Sequence, residues 1–241
     1  MLNRLLITVI FIEIYVHCNV SIKTKSEVDS QKYDPYKIWS RFNATNANGS
    51  EVVEYQIRNI PNTRFEEAMH LMQQFLEDEA LNKILDITIT NHHIQRSREY
   101  WKLLLHKNMS VGCFDDDDKM AGVVLMYIGK RIGSKSKRGK ITQISMDLMD
   151  VDIFEIYRVD EYLANKGVVV QREYRRRGIA KQLLVITKDI CAEYRLEVAA
   201  SVITSPTIDK IAADLGFQLD VSDRLSDDLI VNLRSIKYKH K

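Results

Sequence analysis

The sequence predicts an α/β (α+β) domain in which about six to seven strands are interleaved with helices. Three observations carry that expectation. First, the apolar run Val168-Val169-Val170 has strand character and passes through a tight, donor-rich loop directly into a helix, whose apolar residues Ile179, Leu183, Leu184, Ile186 and Ile190 recur at helical spacing. Second, patterns of strand and helix period alternate along the chain instead of falling into separate blocks. Third, 241 residues with 45% hydrophobic and 28% charged side chains suit one globular domain with an appended N-terminal segment, and not a disordered chain.

In order, residues 1–20 begin with Arg4, run through apolar Leu5 to Ile12 and reach Val16-His17-Cys18, a cleavage context for a secretory signal. Glu13 interrupts the run, which is shorter than the ~20 apolar residues a membrane span needs. A cleaved signal and a retained, anchor-like N-terminus therefore both remain open. Sequons at Asn43-Ala44-Thr45, Asn48-Gly49-Ser50 and Asn108-Met109-Ser110 lean towards secretion. Residues 21–50 read as a polar linker, and the folded domain is expected over 51–241.

Val52, Val53, Tyr55 and Ile57 predict a strand closed by Pro61. Thr63-x-x-Glu66 has the form of a capping box for a helix carrying Phe65, Met69, Met72, Phe75 and Leu76. A second helix is expected over 91–107, with Ile94, Trp101, Leu104 and Leu105 inward. Strands over 110–114 and 120–128 flank Asp115 to Asp118, a solvated hairpin turn. Residues 131–140 read as an exposed loop, and 147–164 as an irregular or helical cover. Beyond the central loop, 196–204 reads as a strand. Ser205-Pro206 then supplies N-cap and N1 of a helix that Gly216 ends, and two strands close the chain.

The loop itself is unusual chemically. A helix N-terminus exposes unpaired N–H groups and partial positive charge, yet this one is preceded by Arg172, Arg175, Arg176 and Arg177. Positive charge stacked in this way calls for an anion. Gly178 and Ala180 leave little side-chain bulk, so a phosphate can approach the main-chain amides. A solvated basic turn is the plainer reading. No G-x-G-x-x-G or Gly-Lys-Ser/Thr occurs here, which counts against a dinucleotide site or a P-loop.

Arg175-x-x-Gly178-x-Ala180, between a valine strand and an amphipathic helix, resembles the pyrophosphate-binding signature of the GNAT superfamily of N-acetyltransferases. The order of elements agrees, and the resemblance implies the GNAT fold, a mixed central sheet of about six to seven strands with helices on both faces. Local runs are similar to the insect-type arylalkylamine N-acetyltransferases: Phe75-x-x-Asp78-Glu79-Ala80-Leu81-Asn82, with Ala80 in place of proline; Tyr174-Arg175-Arg176-Arg177-Gly178-Ile179-Ala180, with Arg176 in place of glycine; and Leu215-Gly216-Phe217. The resemblance covers roughly 51–236. It implies a splayed pair of parallel strands, Val168-Val169-Val170 and 196–204, receiving the pantetheine arm of acetyl-CoA, with Arg175, Arg176, Arg177, Gly178, Ile179 and Ala180 at the pyrophosphate. It also implies Glu79 as the base that takes a proton from a small primary amine.

Protonation of the departing thiolate falls by resemblance to Thr204 and Ser205, because the tyrosine common in this superfamily is replaced by Ala212. A further hydroxyl one turn on is replaced by Ile208. Those departures motivate a rival, a non-catalytic coenzyme binder. Another is an acyltransferase for a different amine, such as a polyamine.

A net charge of +2 argues against a nucleic-acid partner. Cys18, Cys113 and Cys191 have neither metal-ligand nor disulfide-scaffold spacing, and His92-His93 lacks a third ligand, so no metal is expected. Membrane association is expected only if the N-terminal segment is retained. Acetyl-CoA supply favours a cytoplasmic location; the alternative is the secretory pathway through residues 1–18.

Overall fold

The computed structural model describes residues 33–45, 49, 51–78, 90–131, 152–227 and 229–239. The leader-like segment 1–20, the basic loop from 132 onward and Glu79 to Asn82 lie outside the described residues.

One sheet runs through the molecule in the order β1-β2-β3-β4-β5-β6-β8-β7. Its strands are β1 (Ile38–Thr45), β2 (Val52–Asn59), β3 (Val111–Phe114), β4 (Met120–Lys130), β5 (Glu161–Val170), β6 (Val198–Ile203), β7 (Gln218–Ser226) and β8 (Leu229–Lys237). Neighbours pair antiparallel except β5 and β6, which are parallel. Between them lie α1 (Phe65–Asp78), α2 (Asn91–Leu105), α3 (Ile153–Tyr157), α4 (Ile179–Val185), α5 (Thr187–Glu193) and α6 (Pro206–Asp214).

The central strand β4 is buried on both faces because two apolar layers need it. Val123 and Leu125 join Phe65, Met69, Met72, Trp101 and Leu105 of α1 and α2 in one cluster. Val124 and Met126 face the other, with Ile179, Leu183 and Leu184 of α4. This alternation is the strand period acting on a sheet with helices on both sides. Ile179, Leu183, Leu184, Ile186 and Ile190 are all buried, as their spacing predicts. Each such side chain contributes ~1.5–3 kcal/mol.

The fold class is as expected, with eight strands where six to seven are predicted. The additional strand is β1, inside the stretch read as a polar linker, so the folded unit begins well before residue 51. Asn59, 4% exposed, fastens it: its Oδ1 accepts from Trp39 Nε1 at 2.8 Å and its Nδ2 donates to the Asp34 carbonyl at 2.6 Å. Only Trp39, Phe42 and Ala44 of β1 pack inward, and a register shift follows Ile38, which explains the weak strand signal.

Three local readings are also corrected. The capping box is not formed: Thr63 lies inside a 3-10 turn, Asn62–Arg64, and the Glu66 carboxylate pairs with Arg98 of α2 at 2.5 Å. Within the expected cover over 147–164, Glu161 to Ala164 already belong to β5. Asp115 is not solvated but 9% exposed, tied to its own turn and to Tyr174.

Candidate active site

Strands β5 and β6 pair only at Leu163↔Ala199, Ala164↔Ala200 and Asn165↔Ser201. Beyond that point β5 stays with β4, where Val168, Val169 and Val170 face Val124, Val123 and Gly122, while β6 stays with β8. The two parallel strands therefore part. A shift in the β4 register between Val124 and Met126 marks the place, and the Gly167 N–H donates to the Asn165 side chain there at 2.9 Å. On the β6 side Val168 to Val170 have no strand ladder, so the cleft presents main-chain edges on which an extended chain with amide groups can pair.

At the end of β5 the chain makes a 3-10 turn, Arg172–Tyr174, and then enters α4 through Gly178. Gly178 has φ +77° and no atom lies within 4 Å of where a Cβ would stand. Backbone and open space together suit a ligand lying against main chain. Arg176 keeps a left-handed backbone with φ 65° and an exposed side chain. Arg175 is exposed, with its Nε donating to the Val170 carbonyl at 3.2 Å.

Arg177 turns inward. Its guanidinium donates to the Tyr55 hydroxyl and to the Glu173 carbonyl, both at 2.7 Å, and lies over the Tyr174 ring. The side chain of Ile179 is buried in the core and Ala180 is half-buried. What Arg177, Ile179 and Ala180 offer an anion is thus main chain rather than side chain. Gly122 of β4 makes room for this arrangement, since a Cβ there would stand 2.9 Å from the Val169 carbonyl and 3.2 Å from Ile179 Cγ2.

The opposite wall ends at Thr204 and Ser205, between β6 and α6. The Ser205 hydroxyl accepts from the Ile208 N–H at 3.5 Å, so it caps the helix while its own hydrogen stays available. One turn into α6, Asp209 accepts from Arg234 through both oxygens, at 2.6 and 2.9 Å, and from Asn232 at 2.8 Å. The Arg234 guanidinium, followed by Asn232, holds the Asp209 carboxyl below the usual carboxylate range. Ala212, 1% exposed, supplies no hydroxyl.

Glu79, the residue that follows α1, lies outside the described residues. Reading the sequence did not single out Gly122, Tyr55 and Asp115, which shape the loop from beneath. Burial raises the Tyr55 and Tyr174 hydroxyls above their ordinary values, and in Tyr174 the hydrogen bond to Asp115 adds to it, so both keep their protons at neutral pH. Among the described residues no His, Cys, Asp and Glu group could hold a metal, and no helix is long and apolar enough to cross a membrane.

No protein-family model matches the sequence, and no curated protein matches it. Solved structures do. An insect protein assigned as arylalkylamine N-acetyltransferase 7, from the mosquito Aedes aegypti, is 26% identical, with a TM-score of 0.75 and coverage of 86% of this chain and 98% of that one. Arylalkylamine N-acetyltransferase 2 of the same mosquito is 16% identical, with a TM-score of 0.65 and coverage of 76% and 98%. The polyamine N-acetyltransferase of Drosophila melanogaster is 13% identical, with a TM-score of 0.62 and coverage of 76% and 100%. At the two lower identities the likeness is one of fold.

Proposed function

We propose that the chain, whose fold is similar to that of insect arylalkylamine and polyamine N-acetyltransferases, transfers the acetyl group of acetyl-CoA to a small primary amine. The acceptors to test first are dopamine, tyramine, octopamine and serotonin. The observation that carries the reading is the parting of β5 from β6 directly above a loop whose Gly178 is left-handed and open.

In this reading the pantetheine arm pairs along Val168 to Val170, and the pyrophosphate meets the amides of 175–180, helped by exposed Arg175 and Arg176. Glu79 accepts a proton from the ammonium of the acceptor. The free amine then attacks the thioester carbonyl, the C–N bond forms and the C–S bond breaks; the second proton of the nitrogen passes to the departing sulfur through the Ser205 or Thr204 hydroxyl, which gives one hydrogen and regains another, or to solvent when the sulfur leaves as thiolate. The Ser205 cap geometry supports that role, because a hydroxyl that accepts from the helix still has a hydrogen to give. The reaction is placed in the cytoplasm, where acetyl-CoA is supplied. N-terminal sequencing of the mature protein checks this, and cleavage near Cys18 would overturn it.

Thiol release measured with an amine panel tests the function. Turnover with one or more arylalkylamines is the expected result, and agmatine or another polyamine as the preferred acceptor would redirect it. Folded protein that binds acetyl-CoA and acetylates nothing would establish the rival reading as a non-catalytic binder, for which Ala212 and Ile208 speak.

A further inference from the structure

Between the loop and the sheet lies a buried assembly that the chemistry above does not use. The Tyr174 hydroxyl, on the last residue of the 3-10 turn, donates to Asp115 Oδ2 at 2.7 Å. The other oxygen of Asp115 accepts from the Lys119 N–H at 2.8 Å and the Asp115 N–H donates to the Lys119 carbonyl at 3.0 Å, so the same residue closes the β3–β4 turn. Edge-on to Tyr174 stands Tyr55 of β2, with ring centroids 6.3 Å apart, and Tyr55 is itself stacked on Phe42 of β1 at 5.3 Å. Arg177 covers the Tyr174 ring and bonds the Tyr55 hydroxyl.

Main chain and Arg177 already fasten the 3-10 turn: the Gln171 N–H donates to the Ala121 carbonyl of β4 at 3.0 Å, and the Arg177 guanidinium donates to the Glu173 carbonyl at 2.7 Å. Within the turn the main-chain bonds are Tyr174 N–H to the Gln171 carbonyl at 3.0 Å and Arg175 N–H to the Arg172 carbonyl at 3.3 Å. The side chain that reaches from the turn into the sheet is Tyr174, and its bond to Asp115 adds support from below at the end of the turn nearest Arg175. A loop that recognises a ligand through main-chain amides needs its height above the sheet fixed to a fraction of an ångström, because amides cannot reach as side chains do.

Resting on the acetyl-CoA reading, we propose that Tyr174 and Asp115 are positioning residues for the coenzyme. Through their hydrogen bond the turn of the β3–β4 hairpin holds the pyrophosphate loop in its binding shape. Neither residue touches the acceptor amine or the thioester, so their effect falls on the nucleotide end of the donor alone.

Tyr174→Phe removes only the hydroxyl, and Asp115→Asn keeps the shape while weakening the acceptor. Asp115→Asn keeps the experiment readable should Tyr174→Phe fail to fold. Tyr157→Phe is the control; it removes a hydroxyl 2.6 Å from Ser235 Oγ in a different cluster. The readouts are coenzyme A titration by calorimetry, KM and kcat for acetyl-CoA, the KM of the amine, and turnover with S-acetyl-pantetheine, which lacks the pyrophosphate.

Tyr174→Phe is expected to weaken coenzyme A binding and raise the acetyl-CoA KM about tenfold, the order of one lost hydrogen bond to a charged group. Its kcat, its amine KM and its turnover of S-acetyl-pantetheine are expected to stay within about twofold, and Tyr157→Phe to change none of these. Where the short donor is too slow to measure, the split between KM and kcat decides. Coenzyme A binding unchanged in both loop variants, or kcat and amine KM changing in proportion, overturns the positioning role while leaving the acetyltransferase reading intact. Wild-type protein that does not bind coenzyme A overturns that reading and this inference with it.

Discussion

The two walls of the cleft are fastened by different chemistry. Beneath the loop 171–180 the fastening is packed: Tyr174 is 8% exposed, between the Tyr55 ring, the Arg177 guanidinium and the Asp115 carboxylate. Beneath the 204–205 turn it is ionic, since the bidentate pair of Asp209 with Arg234 ties the first turn of α6 to β8, with the Asp209 side chain 21% and the Arg234 side chain 11% exposed. A loop that recognises a ligand through main chain takes its shape from packing. A turn that presents one or two hydroxyls needs only to be kept from drifting, and a half-buried ion pair does that. Salt and acid are therefore expected to loosen α6 before they disturb the loop.

The largest effect is expected on the packed side. Gly178→Val places a β-branched residue at φ +77° and puts its bulk into the open space before α4. Coenzyme A affinity should fall about a hundredfold by calorimetry, against no more than about twofold for Arg172→Ala, with Arg175→Ala between them. Equal binding by all three folded variants would reduce the loop to a basic turn.

On the ionic side, Arg234→Ala leaves the Asp209 carboxylate half-buried without its cation and should cost about 2–3 kcal/mol in urea unfolding, less than that for Asp209→Asn. The pH dependence has a fixed sign. Arg234 holds the folded Asp209 value below the unfolded one, so the stabilisation is complete above about pH 4 and is lost as pH falls through the folded value. Wild type should lose its advantage over Asp209→Asn on acidification. A gap between the two that is constant from neutral pH to pH 3 would show that the pair does not stabilise through charge.

The smallest effect returns to the loop. Arg176 holds a left-handed backbone that costs a non-glycine residue about 1–2 kcal/mol, partly offset because glycine makes the unfolded chain more flexible. Arg176→Gly should therefore raise stability by about 0.5–1 kcal/mol, read from the denaturation midpoint. Lower coenzyme A affinity in the same variant would mean that the arginine side chain, exposed here, compensates for the strain by meeting the ligand.

Legibility in the sequence followed periodicity. The inward face of α4 and α5 was visible because Ile179, Leu183, Leu184, Ile186 and Ile190 repeat at helical spacing and are all buried. The Ser205 cap was visible because Ser before Pro has few other uses. Strand β1 was not, since its inward side is three residues with a register shift beside them. Asp115 was hidden for a different reason. In a run of four aspartates nothing local distinguishes the one that a tyrosine 59 positions away draws inward. Glu79 was named through resemblance, not through any pattern of its own.

The short ladder between β5 and β6 bears on how the protein comes apart. On one side lie β1 to β5, four antiparallel pairings between strands consecutive in sequence; on the other, β6, β7 and β8, drawn from the last part of the chain. Three residue pairs, Leu163 to Asn165 with Ala199 to Ser201, make the one parallel ladder among the described strands and join the two. Each side closes loops of modest length, whereas the seam requires both to exist first. Amide hydrogen exchange is expected to find the seam protected less than β4 in the free protein. Coenzyme bound along Val168 to Val170 would bridge the two sides and slow exchange at the seam most of all.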